Sequence, residues 1–343
     1  MNTHDYLTDD GLAMLLLCSP FGTSQPTSPD APAPFTLSEW NQLARKIHAS
    51  PLQRPAALAG QDAATLARAL QLAPNEAERI ARLLDRSGRV ALELDGLFSR
   101  GMWVATRVDP HYPAGLRDTL KHQAPSVIFG AGDRALLSGR RVAVIGSRNI
   151  DPAGAAFAQA FARQAVGAGF AIVSGGARGT DLIAMNAALD AGGNSVGVLA
   201  DSLERTIRPP EMRQWLLDRR VTLVTPYAPT AGFSVGAAMG RNKVIYGLAE
   251  LALVVGSEHE KGGTWAGAVE ALKAAWCPVL VRATDDAPKG NRELLKHGAL
   301  PLAEPRVPAA DELAAARQAA APSAPVEQDL FAPRETKPPG APL

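Results

Sequence analysis

The chain has 343 residues, 46% of them hydrophobic and 20% charged, which is enough apolar material for a full core and room for about two domains with tails. Its formal net charge is +1, so no global basic excess marks a nucleic-acid binder, and any such site has to be a local patch. Two cysteines, Cys18 and Cys277, lie far apart, match no metal-ligand spacing and fit a reducing, cytoplasmic setting.

Residues 11–18 are apolar but too few to span a bilayer, and acidic residues precede them. They predict a buried helix, not a signal peptide or membrane anchor. Residues 1–100 read as a small helical module, with apolar residues at helical period over 37–47, 62–72 and 76–84. Polar or proline-rich breaks separate them, the longest being 22–34. A lead-in segment, 101–138, carries Trp103-Val104-Ala105-Thr106, Asp109-Pro110-His111-Tyr112-Pro113 and Pro125-Ser126-Val127-Ile128-Phe129-Gly130, which predict short strands and a turn.

The core is assigned to residues 101–302. Short apolar runs at 142–145, 170–173, 195–199, 221–224, 251–255 and 278–281 alternate with helical stretches such as 154–167 and 181–191. That alternation predicts an α/β fold: a Rossmann-like, doubly wound, mostly parallel sheet covered on both faces. Residues 303–343 are rich in proline, alanine and charge, bury too little to fold alone and are predicted to be disordered.

The chemistry is concentrated after two of these strands. The run 142–145 ends in Gly146-Ser147-Arg148, and the run 170–173 ends in Ser174-Gly175-Gly176-Ala177-Arg178-Gly179-Thr180-Asp181. In a parallel sheet such loops meet in one crevice, where glycine lets backbone N–H groups approach an anion and arginine offers a fork to phosphate oxygens. The pattern points to a phosphate-bearing ligand; tight turns and structural ion pairs are the alternative use of the same residues. No G-x-G-x-x-G or G-x-x-x-x-G-K-[ST] spacing is present, which argues against a dehydrogenase or a P-loop ATPase. Asp181 is expected to cap the helix that follows. Asp201 and Glu270 are the other acids near strand ends and make no metal cluster, and His111 and His297 have no partnered nucleophile. No catalytic residue, metal or cofactor is assigned.

Several of these segments, in order, resemble one family closely: the bacterial DNA-processing proteins called DprA or Smf. The matching segments are Asp109-x-x-Tyr112-Pro113-x-x-Leu116, Ala124-Pro125-x-Val127-x-Phe129-Gly130, Gly146-Ser147-Arg148 and Ser174-Gly175-x-Ala177-x-Gly179-x-Asp181. They continue through Ala187-Ala188-Leu189, Val196-Gly197-Val198-Leu199, Gly240-Arg241-Asn242-Lys243-Val244-Ile245, Gly262-Gly263-Thr264-Trp265-Ala266-Gly267-Ala268 and Gly290-Asn291 to Gly298-Ala299. Against the family pattern, Thr180, Met185, Ala200, Gly267 and Thr225-Pro226 are departures, so the chain is a divergent member.

The resemblance implies a modified Rossmann core that binds single-stranded DNA, helps load the RecA recombinase and performs no covalent chemistry. It implies a phosphate track built from Gly146, Ser147, Arg148, Ser174, Gly175, Gly176, Arg178, Gly179, Arg241, Asn242, Lys243, Gly262, Gly263 and Thr264. Trp265 either stacks on a base or packs on a helix, and Tyr246 reads as core. Self-association is expected, the stretch 266–276 being apolar enough to be either buried or paired. A winged-helix module, frequent in the family, has no room after residue 304. Two other readings stand beside this one. A nucleotide-binding or hydrolytic site like that of the LOG phosphoribohydrolases would use Glu270, although that residue stands six positions after Thr264 where their motif has three. A DNA- or nucleotide-sensing role beside a toxin or phage-defence partner is the other. In the tail, Gln328-Asp329-Leu330-Phe331 is similar to peptides that dock on the bacterial sliding clamp, one residue short of their usual spacing.

Overall fold

In the computed structural model, which describes residues 7–22, 32–309 and 311–312, five helices precede the sheet: α1 (Asp9–Cys18), α2 (Leu37–Ala49), α3 (Ala63–Leu70), α4 (Pro74–Leu84) and α5 (Ser87–Ser99). Their starts are chemically marked. Thr8, Thr36 and Asp62 side chains accept from Gly11, Glu39 and Thr65 N–H, and Pro74 occupies the first turn of α4, where no N–H is required. Helix α5 has no side-chain cap and leaves Leu92 exposed, so its sequence announces it poorly. The predicted buried helix is α1: Met14, Leu15 and Leu17 have no exposed surface.

Nine strands form one sheet: β1 (Met102–Thr106), β2 (Val127–Gly132), β3 (Arg141–Gly146), β4 (Ala171–Ser174), β5 (Ser195–Val198), β6 (Val221–Thr225), β7 (Leu251–Gly256), β8 (Val279–Arg282) and β9 (Leu300–Leu302). The helices between them are α6 (Ala114–Leu120), α7 (Pro152–Gly167), α8 (Thr180–Asp190), α9 (Leu203–Thr206), α10 (Pro210–Leu217), α11 (Val235–Gly240), α12 (Asn242–Leu248), α13 (Gly262–Ala274) and α14 (Lys289–Lys296). The spatial order is β1-β2-β6-β5-β4-β3-β7-β8-β9. The pairs β1–β2 and β2–β6 are antiparallel, and every other neighbouring pair is parallel. All six strands expected between 140 and 281 are present, and the lead-in segment supplies the two antiparallel ones.

The order contains the feature that places a site. From β3 the chain winds outward through β4, β5 and β6, then returns to the far side of β3 as β7 and winds the other way. The loops after β3 and β7 therefore diverge from adjacent strands, and such a switch point opens a crevice at the carboxyl ends of the strands. The β3–β7 register slips there, so that Gly146 faces Gly256.

The helical module has no core separate from the sheet. Trp40, Leu66, Ile80 and Leu94 belong to one buried cluster with Val104, Phe129 and Leu223. A polar joint fixes the same contact. The Asp109 carboxylate accepts from Thr8 N (2.9 Å) and Thr8 Oγ1 (2.7 Å) on one oxygen, and from the Thr106 amide (2.9 Å) and hydroxyl on the other. Thr8 caps α1 and Thr106 ends β1, so one side chain ties the module to the sheet. Tyr112, three residues on, donates from its hydroxyl to Pro125 O at 2.9 Å.

Strand β9 pairs with β8 as the last strand of the sheet, and of the two uses open to the apolar stretch 266–276, burial or pairing, burial holds: Ala268 and Ala271 are fully buried, and Val269 and Leu272 pack against the same core. The predicted tail lies outside the described residues beyond position 312, as does most of the break at 22–34. Among the described residues, no helix is long and apolar enough to cross a membrane.

Candidate nucleic-acid interface

A groove of about 610 Å³ lies at the β3–β7 switch point. Gly146, Ser147 and Arg148 form one wall; α11, Arg241 and Asn242 a second; the loop from Gly256 to Gly263 and the start of α13 a third. Ala177 and Asp181 reach it from the loop after β4. The crevice expected between the loops after residues 145 and 173 is thus centred one strand over. The cause is the winding: β3's other neighbour, β7, carries the second diverging loop.

Arg241 sits at the junction of α11 and α12, and the helical backbone turns its side chain inward. The side chain is only 7% exposed, its guanidinium lies against Gly175, and its Nε has no hydrogen-bond partner. Any side chain at 175 would occupy the guanidinium's place, which is the physical reason for glycine there. Asp181 lies 3.9 Å from Arg241 and accepts from Ala177 N at 3.3 Å. It does not cap α8: Gly179 is the capping residue, and Asp181 stands one position inside the first turn, where it latches the glycine loop to Arg241. Burial raises the Asp181 carboxyl above the usual range, partly offset by Arg241 and by loop amides, while burial lowers Arg241, partly offset by Asp181. Burial thus disfavours the charged form of each group, and each partner's charge offsets part of that cost.

The loop after β3 is built against the loop after β4. Thr180 donates from N and Oγ1 to Ser147 O at 3.3 and 3.0 Å. Gly179, at φ +88°, brings its backbone so close to the Ser147 and Arg148 carbonyls that no Cβ would fit. Arg148 is exposed at the lip, its guanidinium 5.4 Å from the centre of the Phe233 ring. On the third wall, α13 begins at Gly262 without any side-chain cap, so the first-turn N–H groups of Gly262, Gly263 and Thr264 open toward the groove. Asn242 donates to Gly263 O at 2.9 Å and so holds that helix start. Gly267, a departure from the family pattern, lets α13 lie against Asn242; a Cβ there would sit 3.0 Å from its amide nitrogen.

Not every sequence-selected residue lines the groove. Ser174 is fully buried, with its hydroxyl donated to Val144 O at 2.6 Å. Gly175, Gly176 and Gly179 shape the loop behind the wall, and exposed Arg178 lies beside it, 3.4 Å from Asn149 Oδ1. Lys243 is half-buried outside the lining, its ammonium lowered by burial and partly restored by Glu270. Glu270 is itself exposed and outside the groove. Met185 and Ala200 are buried and also absent from the lining, so those departures do not reshape it. Trp265 both lines the groove and packs, edge to face with His259 at 5.0 Å and with His297 at 5.5 Å. Tyr246 is core, 1% exposed.

Sequence reading missed the apolar lip, Phe233, Val235 and Met239, all exposed, and the charged outer wall of Glu258, Glu260 and Lys261. A lone phenylalanine between Gly232 and Ser234, just before the Arg241-Asn242 segment, was the available signal. Asn291, known from the sequence only as part of a matching segment, accepts from Ser257 N at 2.9 Å and donates to Val255 O at 3.1 Å and Arg282 O at 2.9 Å, pinning the loop after β7.

Fold and groove together define a Rossmann-like protein with a groove at its sheet's switch point. The family model described as DNA recombination-mediator protein A matches residues 103–308, more than half of the chain, and the chain belongs to that family. It is 31% identical over 165 residues to the DNA processing protein DprA of Bacillus subtilis (strain 168), covering 47% of this chain and 54% of that protein. It is 33% identical over 199 residues to a putative DNA processing protein DprA of Mycobacterium tuberculosis (strain ATCC 25618 / H37Rv), covering 54% and 49%. The chain thus spans about half the length of these curated relatives. The X-ray structure of DprA from Streptococcus pneumoniae superposes with a TM-score of 0.54 at 20% identity, over 79% of this chain and 96% of that one, and shares the fold.

Proposed function

We propose that the groove binds single-stranded DNA without sequence preference, as a step in DNA processing. The observation that carries the reading is Arg241: an almost fully buried guanidinium with an unpaired N–H, facing a groove onto which an uncapped helix start also opens. A buried cation is costly, and an anionic ligand at this point offsets that cost. Exposed Phe233 beside Arg148 offers a ring on which an unpaired base can stack. Because Glu258 and Glu260 stand on the outer wall, the backbone is expected along the Arg148–Arg241 side, with Arg178 extending the track. Loading of RecA and pairing with a second copy belong to the same reading through the family resemblance. No reaction is assigned: Glu270, the residue a LOG-like hydrolysis would need, lies outside the groove.

The test is oligonucleotide affinity across a salt series. Each phosphate contact contributes a slope of about −0.7 in log K against log salt for single strands. Arg148→Ala is expected to flatten the slope by about that amount, and Arg241→Ala to weaken binding by about tenfold or more, since hydrogen bonds to charged groups are worth about 1.5–3 kcal/mol. Absence of low-salt binding, or slopes untouched by both substitutions, overturns the reading. Competition by AMP as effective as by the oligonucleotide assigns the groove to a nucleotide instead.

A further inference from the structure

A second crevice, also of about 610 Å³, opens at the opposite end of the sheet, where β1 begins and β2 ends, between the close of the helical module and α10. Its surface is aliphatic, formed by Met102, Ile207 and Leu217 among others, and Leu217 is 77% exposed. Its rim is basic. Arg100 is engaged by Glu204 at 2.8 Å, while Arg208 and Arg213 are exposed and make no ion pair among the described residues. No aromatic ring lines it, so it offers no platform for a base. An occupant that matches has large apolar side chains next to carboxylates.

The chain itself contains such a segment, Glu327-Gln328-Asp329-Leu330-Phe331, whose Leu330-Phe331 is the one pair of adjacent large apolar residues after position 312. Its reach is sufficient. Strand β9, which ends at Leu302, is the edge of the sheet opposite β1, and the described chain stops ten residues after it. Eight strand spacings amount to about 38 Å, and the 15 residues from 312 to 327 extend to about 50 Å.

We propose that this crevice is a docking site for the chain's own segment 327–331, with Leu330 and Phe331 on the aliphatic floor and Glu327 and Asp329 facing Arg208 and Arg213. The docked segment is the one similar to clamp-docking peptides, so docking would withhold it from any partner that reads the same residues.

Hydrogen exchange of the full chain, read by mass spectrometry, tests this. A segment docked nine-tenths of the time slows exchange at its site about tenfold. Residues 100–102 and 207–217 are expected to exchange that much faster in Leu330→Asp/Phe331→Asp than in the unaltered chain. Arg208→Glu/Arg213→Glu is expected to have the same effect, and adding Glu327→Arg/Asp329→Arg to restore protection. Equal exchange in the unaltered chain and the tail variant overturns the proposal. So does protection that appears only as protein concentration rises, which assigns the segment to a second copy, and so does protection by an oligonucleotide that survives the tail substitutions, which assigns the crevice to DNA.

Discussion

Asp109 and Asp181 are buried to similar depth, 1% and 6% exposed, and are treated in opposite ways. Asp109 receives two donors on each oxygen, all from the threonines that end the two elements it joins. Asp181 accepts from the Ala177 amide at 3.3 Å, is also held by Ser174 and the Gly175 backbone, and stands 3.9 Å from a guanidinium that keeps an unpaired N–H. A buried carboxylate with every lone pair used holds a joint closed. A buried cation with an unpaired N–H, as Arg241 is, leaves bonding capacity for something that arrives later. The joint between helical module and sheet is closed on every lone pair, whereas the switch-point groove keeps an unpaired buried N–H, the feature on which the proposed ligand role rests.

The largest test of this contrast is the same substitution at both aspartates. Asp109→Asn replaces one acceptor oxygen by an NH2 group that faces a buried threonine N–H. Leaving such a donor unsatisfied and opposed is expected to cost about 2–4 kcal/mol. Urea denaturation followed by tryptophan fluorescence measures it, and a midpoint within error of the unaltered protein would remove the joint from the argument. Gly11→Ala is expected to act in the same direction, because its Cβ would press on the Asp109 carboxylate.

The contrast also separates what the sequence made legible from what it did not. The six central strands followed from apolar runs of strand length between helical periods, and the glycine-rich turns from their position after those strands. The β3–β7 switch point was not legible, because strand order is set by which faces of the helices are covered, a long-range property that periodicity does not carry. The groove was therefore placed one strand away, and Ser174 was given a ligand role although its hydroxyl is spent on Val144. Asp109 was visible as part of a motif, but its partner Thr8 lies 101 residues away, and no local pattern joins them. Phe233 escaped because a single aromatic in an irregular segment has no period at all.

At Asp181 the substitution is expected to act on function. Burial raises its carboxyl, so ionised Asp181 is a liability to the fold at neutral pH. Its favourable contribution is present below the unfolded carboxylate range and is lost as pH rises through its raised folded value. Protonation also removes the charge that offsets Arg241. Oligonucleotide affinity at fixed salt is therefore expected to rise as pH falls through the raised value of Asp181. Asp181→Asn is expected to bind more tightly at pH 7, by about fivefold when the carboxylate–phosphate repulsion is taken at the bulk-water value of about 1 kcal/mol, and to show a flatter pH profile. Weaker binding by Asp181→Asn would show that the carboxylate positions Arg241 instead of neutralising it.

Glu39 supplies the smallest and cleanest comparison, because it is as well satisfied as Asp109 but lies at the surface. It closes the capping box of α2: Thr36 N donates to its Oε2 at 2.7 Å, and Arg79 donates to Oε1 at 2.8 Å. Hydrogen bonding from Arg79, then from the Thr36 backbone, holds its carboxyl down at about 2. A lowered folded value means that its contribution is fully present above the unfolded value near 4.5 and is lost as pH falls toward about 2. The side chain is 42% exposed, so solvent and salt screen most of the ion pair, and the effect on stability is expected to be well under that at Asp109. Thermal unfolding between pH 5 and about 2 should fall less steeply for Glu39→Gln than for the unaltered chain, and added salt should narrow the difference. If the two acid limbs run parallel, hydrogen bonding at an exposed cap does not hold this module together, and the burial of Asp109 becomes the feature that makes its four bonds count.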